Sequence, residues 1–229
     1  RIIDPAFEGG RLREVFPSML AAGNAAVDRL APFADGREIE IEEQTSKLAA
    51  DVIFRTLFSL AITDDDAKEV FDSFRDYQRT QPLMNLASFF KMPGWMPAFQ
   101  RSATKQTSAR IRELLTRLTD ARTAEIAAGT APDDLATKIM TTADPLTGDK
   151  FTGDEMVDQV AIFFLAGHET SASALAWTLY LLAIDEDSQN RAAAQAKAAS
   201  AEGEFTFANL SKMPFVRNVF REALRLYPP

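Results

Sequence analysis

No cysteine occurs in the 229 residues. That absence excludes disulfides, zinc ribbons, thiol nucleophiles and any thiolate ligand to iron from within this sequence. Histidine is almost as scarce. His168 stands alone, which excludes a histidine-rich metal cage and leaves a Ser-His-Asp triad without support. Lys and Arg number 25 against 33 Asp and Glu, a net charge of −8. A nucleic-acid binder needs a basic face to replace the counterions on phosphates, so that class is set aside. There is no Gly/Ser-rich linker, internal repeat or low-complexity tract. Residues 1–229 therefore read as one domain or part of one. The chain opens on Arg1, without an initiator Met or an apolar signal segment, and closes on Tyr227-Pro228-Pro229. Both ends read as cut, which leaves a targeting signal or anchor open.

What is present suits a folded core. Hydrophobic residues make up 46% and charged residues 25%, ordinary values for a globular chain of this length. Helical periodicity recurs from end to end, giving an all-α fold class. Residues 11–30 form a first helix with Leu12, Val15, Phe16, Met19, Leu20, Val27 and Leu30 near one period. Glu38-Ile39-Glu40-Ile41-Glu42 alternates like a short strand, and a helix over 44–61 follows. Thr63-Asp64-Asp65-Asp66 suits a helix start, because side-chain oxygens cap free amides and acids favour the positive end. That helix runs to about Arg79. Pro82, Pro93, Gly94 and Pro97 frame an apolar segment over 82–97 that cannot be one straight helix. Further helices are predicted over about 99–128 and 133–142.

Residues 152–184 are the most informative. Thr152 and Glu155 have capping-box spacing, and an apolar helix of some eight turns follows, about 153–184. It is long enough to suggest a membrane span. We reject a span because His168, Glu169, Thr170, Ser171 and Ser173 sit in its middle and both flanks are acidic. The prediction is a central, buried helix. Gly167 inside it costs about 1 kcal/mol relative to Ala. Glu169 must be desolvated or face a cavity. The Thr170 hydroxyl can turn back to the Ala166 carbonyl and loosen the helix. Two readings stand here. One is a local bulge that lets a flat group approach Ala166-Gly167, with Glu169 and Thr170 beside it as a proton path. The other is a kinked core helix whose polar groups are satisfied by neighbours.

Residues 214–226 form a second marked helix. Phe215, Val216, Val219, Phe220, Ala223, Leu224 and Tyr227 make its apolar face, and Asn218, Arg221, Glu222 and Arg225 its polar stripe. Glu222 and Arg225, three apart, can pair on the helix surface. Pro214 and Pro228-Pro229 punctuate its ends.

Taken in order, Ala166-Gly167-His168-Glu169-Thr170-Ser171 and, some fifty residues on, Glu222-Ala223-Leu224-Arg225 before Tyr227-Pro228-Pro229 resemble the cytochrome P450 family. The first matches the pattern of the family's long central helix. The second matches the Glu-x-x-Arg helix that precedes the haem-binding loop. Arg1 to Phe7 looks like the end of the helix whose basic residues meet the haem propionates, and Asp144-Pro145-Leu146-Thr147-Gly148 looks like the turn before the central helix. The resemblance covers the whole chain and is to soluble bacterial members. It implies a partial P450 fold, lacking the N-terminal part and the C-terminal haem-ligand loop.

It also implies a haem-dependent monooxygenase that inserts one atom of O₂ into a small hydrophobic substrate, in the cytoplasm. The cofactor would be haem b. Electrons would come from NAD(P)H through a ferredoxin or flavoprotein reductase. By that analogy Thr170 holds a hydrogen-bonding water and Glu169 feeds protons. Ala166, Gly167 and Thr170 lie against the haem, Glu222 and Arg225 form a buried structural ion pair, and 82–97 is either a lid over the substrate channel or plain packing. The family's axial Cys has no counterpart among these residues. The 229-residue chain alone is therefore expected to show no monooxygenase turnover, and turnover by the purified chain would refute this. The alternative is a non-catalytic helical binding domain with an apolar pocket, expected to melt cooperatively and to give no Soret shift on haem titration.

Other motifs fail on inspection. Gly148 to Gly153 has phosphate-loop spacing but Asp154-Glu155 where Lys-Ser/Thr is needed. Asp144 to Glu155 places Leu146 and Gly148 at calcium-ligand positions. His168-Glu169 lacks a second His for zinc, and no Gly-x-Ser-x-Gly elbow is present.

Overall fold

The computed structural model describes residues 2–3, 10–80, 102–201 and 203–229. Eight α-helices carry the fold among them: α1 Arg11–Leu30, α2 Ile41–Leu57, α3 Asp65–Thr80, α4 Ser102–Ala128, α5 Leu135–Thr141, α6 Gly153–Ile184, α7 Glu186–Ser200 and α8 Pro214–Leu226. Two short 3₁₀ turns, Ala31–Phe33 and Phe207–Lys212, join α1 to α2 and α7 to α8. No strand forms among the described residues. The fold is all-α, as expected. The apolar segment 82–97 and most of Arg1 to Phe7 lie outside the described residues.

Local chemistry sets the helix ends. At the start of α6 the Glu155 amide donates to Thr152 Oγ1 at 3.3 Å, and Glu155 Oε2 accepts from the Thr152 amide at 2.9 Å. The capping box read from sequence is therefore made. Asp64 opens α3 by accepting from the Asp66 amide, and Asp134 opens α5 by accepting from the Thr137 amide. The alternation over 38–42 does not become a strand. Instead α2 begins at Ile41, so Ile41 and Glu42 belong to its first turn. It also ends earlier than its pattern suggests. Ser59 takes φ of 59°, and the Leu60 amide returns to the Phe54 carbonyl. A left-handed residue cannot continue an α-helix.

The core lies where α2, α3, α4 and α6 meet. Phe164 of α6 stacks on Phe74 of α3, with ring centroids 4.3 Å apart, and leans on Phe54 of α2 at 5.3 Å. Val70, Leu114, Leu115, Ile139 and Met156 close around them, all buried. Each such side chain contributes about 1.5–3 kcal/mol by leaving water. On α1 the inward positions are Ala22 and Ala26, whereas Leu12 and Val27 are exposed. That reverses part of the predicted face, because small residues let α1 lie close to α2.

The central helix departs from expectation in two ways. It runs as unbroken α-helix from Gly153 to Ile184, without the predicted bulge at 166–170. It is also not buried all round. Ile162, Trp177, Tyr180 and Ile184 are exposed apolar residues on it. No helix among the described residues is long and apolar enough to cross a membrane.

Candidate functional site

Side chains project from α6 about every 100°, so five successive residues at its middle look in different directions. His168 faces inward. It is 2% exposed, stacks on Phe164 at 5.2 Å and meets Phe71 of α3 edge-on at 5.6 Å. Its Nε2 lies 2.7 Å from Ser46 Oγ of α2. Burial, reinforced by the positive charge of Arg75, lowers its pKa from 6.5 to about 4. The ring is neutral at ordinary pH.

Gly167 lies on one flank of His168. A Cβ there would sit 3.2 Å from Ile53 Cδ1, so the missing side chain is what lets α2 come this close. Glu169 lies on the other flank. Its Oε2 accepts from Gln78 Nε2 of α3 at 3.1 Å. With Ser46, Glu43, Arg75 and Arg79 it lines a polar cavity of about 420 Å³. Glu169 thus meets the cavity it was expected to need, although it stays exposed.

Ala166 and Thr170 are two residues either side of His168, about 200° round the helix, and so point away from it. Both are exposed, and Thr170 Oγ1 donates to the Ala166 carbonyl at 2.7 Å. This back-bond was anticipated; the helix absorbs it without breaking. They belong to a stripe that continues along one side of α6, Ile162, Ala166, Thr170, Ser173, Trp177, Tyr180 and Ile184. The steps of three and four define a single helical face. At its far end Trp177 stacks flat on Tyr227, with centroids 3.9 Å apart and planes within 4°.

Glu222 and Arg225 lie away from the 166–170 segment. They bond to each other, Arg225 Nη2 to Glu222 Oε1 at 2.6 Å and Nε to Oε2 at 2.8 Å. Their hydrogen bonding holds the carboxyl below the usual glutamate range. The implied burial is not found: the two side chains are 55% and 66% exposed. Ala223 carries the inward face of α8, and the pair points outward. Glu222 lines a cleft of about 600 Å³ with Leu181, Leu182 and Ile184. Those residues lie eleven or more positions beyond Thr170, about 16 Å along the helix. Ser46 and Gln78 escaped the sequence reading. No local signal announces them, since Ser46 and His168 are 122 residues apart and Gln78 and Glu169 are 91 apart.

The family model for cytochrome P450 matches residues 1–229. The chain belongs to the cytochrome P450 family. It is 28% identical to cytochrome P450 6k1 of Blattella germanica over 252 residues, covering 99% of this P450 chain and 48% of that protein. It is 29% identical to the cyclooctat-9-en-7-ol 5-monooxygenase of Streptomyces melanosporofaciens over 234 residues, covering 100% and 48% respectively. The crystal structure of the cytochrome P450DA heme domain superimposes with a TM-score of 0.78 at 22% identity, covering 98% of this chain and 48% of that one. That likeness shows the fold. The P450 chain spans about half the length of the curated relatives it matches. Those two come from an insect and a bacterium, so they do not single out the soluble bacterial type.

P450 membership implies a haem. The first half of the stripe, Ile162 to Thr170, fits one face of such a group, since its exposed side is narrowed to a methyl at Ala166 beside the Thr170 hydroxyl. The 229 residues hold no cysteine, so the sulfur ligand to iron is not among them. Among the described residues no cluster of three or more His, Asp or Glu offers a metal site instead.

Proposed function

We propose that this chain forms the oxygen-side wall of a haem-dependent monooxygenase that inserts one atom of O₂ into a hydrophobic organic molecule. The observation that supports this most is the exposed apolar stripe of α6, with Ala166 and Thr170 at its middle. A monomeric soluble domain seldom leaves so long an apolar face open unless something covers it. Haem b, when bound, supplies the redox centre at which dioxygen is activated. Its electrons come from NAD(P)H through a ferredoxin or flavoprotein reductase.

The chain's own residues have three tasks in this reading. Ala166 and Gly167 keep the helix slim, Ala166 towards the haem and Gly167 towards Ile53. Thr170 keeps its proton on the Ala166 carbonyl, which leaves the lone pairs of Oγ1 free to accept from a water at the open face. Glu169 exchanges protons with solvent in the polar cavity and passes them toward that water. Glu222 and Arg225 hold the geometry of α8.

The test uses the full-length protein. With an electron donor and ¹⁸O₂ it should place one labelled oxygen in a hydrophobic substrate. Thr170→Val, similar in size but without the hydroxyl, should lower product formed per O₂ consumed roughly fivefold to tenfold, the worth of one hydrogen bond. Oxygen consumption should persist. Full coupling in that variant would remove Thr170 from the mechanism. A haem titration without a Soret change would return the protein to a non-catalytic binding domain.

A further inference from the structure

His168 is the one residue of the 166–170 stretch that the proposed chemistry leaves unused. Its surroundings are aromatic, Phe164 on one face and Phe71 at the edge. A phenylalanine would fill such a box without the cost of burying two ring nitrogens. What the imidazole adds is the contact from Nε2 to Ser46 Oγ. Ser46 in turn lines the polar cavity that holds Glu169.

Helix geometry gives this bond leverage. α2 and α6 run past each other in opposite senses, since Ser46 meets His168 while Phe54 meets Phe164. At the crossing Gly167 brings the backbones together over Ile53, and His168 ties them. Apolar contacts of this kind resist separation but resist rotation about the helix axis only weakly, because packing is non-directional. A hydrogen bond fixes a direction. With about 100° between residues, a turn of α6 at His168 carries Thr170 and Ala166, on the opposite side, through the same angle. It also swings Glu169 relative to Gln78.

Resting on the monooxygenase reading, we propose that His168 and Ser46 act as positioning residues, a rotational lock between α6 and α2 that aims Glu169 into the polar cavity and Thr170 onto the open face. The lock is directional rather than adhesive. It should therefore govern how oxygen is partitioned more than how firmly the protein is folded.

The experiment compares His168→Phe, Ser46→Ala and the double variant of the full-length protein. His168→Phe keeps the aromatic box filled. Ser46→Ala trims only a hydroxyl and carries the test if the first variant fails to fold. Two readouts are taken: amide hydrogen exchange over residues 166–171, and product formed per electron pair. Each single variant should exchange about fivefold faster there, a loss expected for one partly buried hydrogen bond, and lose several-fold in coupling at a melting temperature close to that of the parent. The double variant should be no worse than either single one, as for two halves of one contact. Exchange and coupling unchanged in both single variants would overturn the lock, as would additive losses in the double. If the parent protein forms no product at all, the monooxygenase reading fails instead, and exchange alone decides the lock.

Discussion

Replacing Arg122 by methionine is expected to cost about 3–5 kcal/mol of folding stability, the range for removing one partner of a buried ion pair. Arg122 on α4 is 6% exposed and pairs with Asp134, 5% exposed, at the start of α5. Its guanidinium also donates to the Phe58 carbonyl at 2.9 Å and to Thr137 Oγ1 at 2.9 Å. One side chain thus joins α4, α5 and the end of α2. Asp134 is equally committed, accepting from the Thr137 amide at 3.0 Å and from Ser59 Oγ at 2.8 Å. Without Arg122 the Asp134 carboxylate remains buried without a counter-charge, and that accounts for most of the loss. Urea melts of the parent and variant measure it. Pairing Arg122→Met with Asp134→Leu should recover part of the stability, because the stranded charge is gone. A single variant within about 1 kcal/mol of the parent, the range of an exposed pair, would show that water reaches this network.

The second large effect is with pH. The folded pKa of His168 is about 4 and the ordinary value 6.5, so the unfolded chain takes up the proton first as pH falls. Stability from this group is complete above about pH 6.5 and declines through the window down to pH 4. Below that both states are protonated and no further loss arises. A shift of this size corresponds to ~3 kcal/mol across the window. Arg75 extends the decline to lower pH by disfavouring a second positive charge beside it. Carboxylates held below their usual values by partners, Glu43 by Lys47 and Glu69 by Arg117 and Arg110, lose their contribution at lower pH, below 4.5. The two windows therefore separate. In His168→Phe the midpoint of thermal unfolding should be nearly flat between pH 6.5 and 5, where the parent drops. The same slope in both proteins would mean that the ring is solvated in the folded state.

The helices were legible wherever periodicity and punctuation agreed. α1 spans 11–30 as read, α6 opens at its capping box, and α8 lies between Pro214 and Pro228. The start of α2 was misread because Glu38 to Glu42 alternates in polarity. Two-residue alternation over so short a run does not separate a strand from the first turn of a helix. α7 passed unnoticed for a different reason. Its residues Arg191 to Ser200 are mostly alanine, which favours helix without marking a face. At the site, the motif located Gly167, Glu169 and Thr170 on one helix, and the bond from Thr170 to Ala166 followed from spacing alone. Periodicity did not show that one side of α6 is open, since an apolar run looks alike whether protein or something else covers it. Nor did it show Ser46 or Gln78, which reach the site only through the crossing of α2 and α3 over α6. The outward Glu222–Arg225 pair was legible as a pair, and its exposure matched the helix periodicity rather than the family expectation.

The span of 122 residues between Ser46 and His168 has a consequence for synthesis. A ribosome adds about 5–20 residues per second, so α2 waits roughly 6–24 s for its partner to be made. During that interval Phe54 lacks α6, whose Phe164 will end against it. The nascent chain therefore carries a sticky, half-finished surface for far longer than a helix takes to form. α2 is the segment on which a holding chaperone would act, and slowing translation after it would lengthen the hazard rather than relieve it.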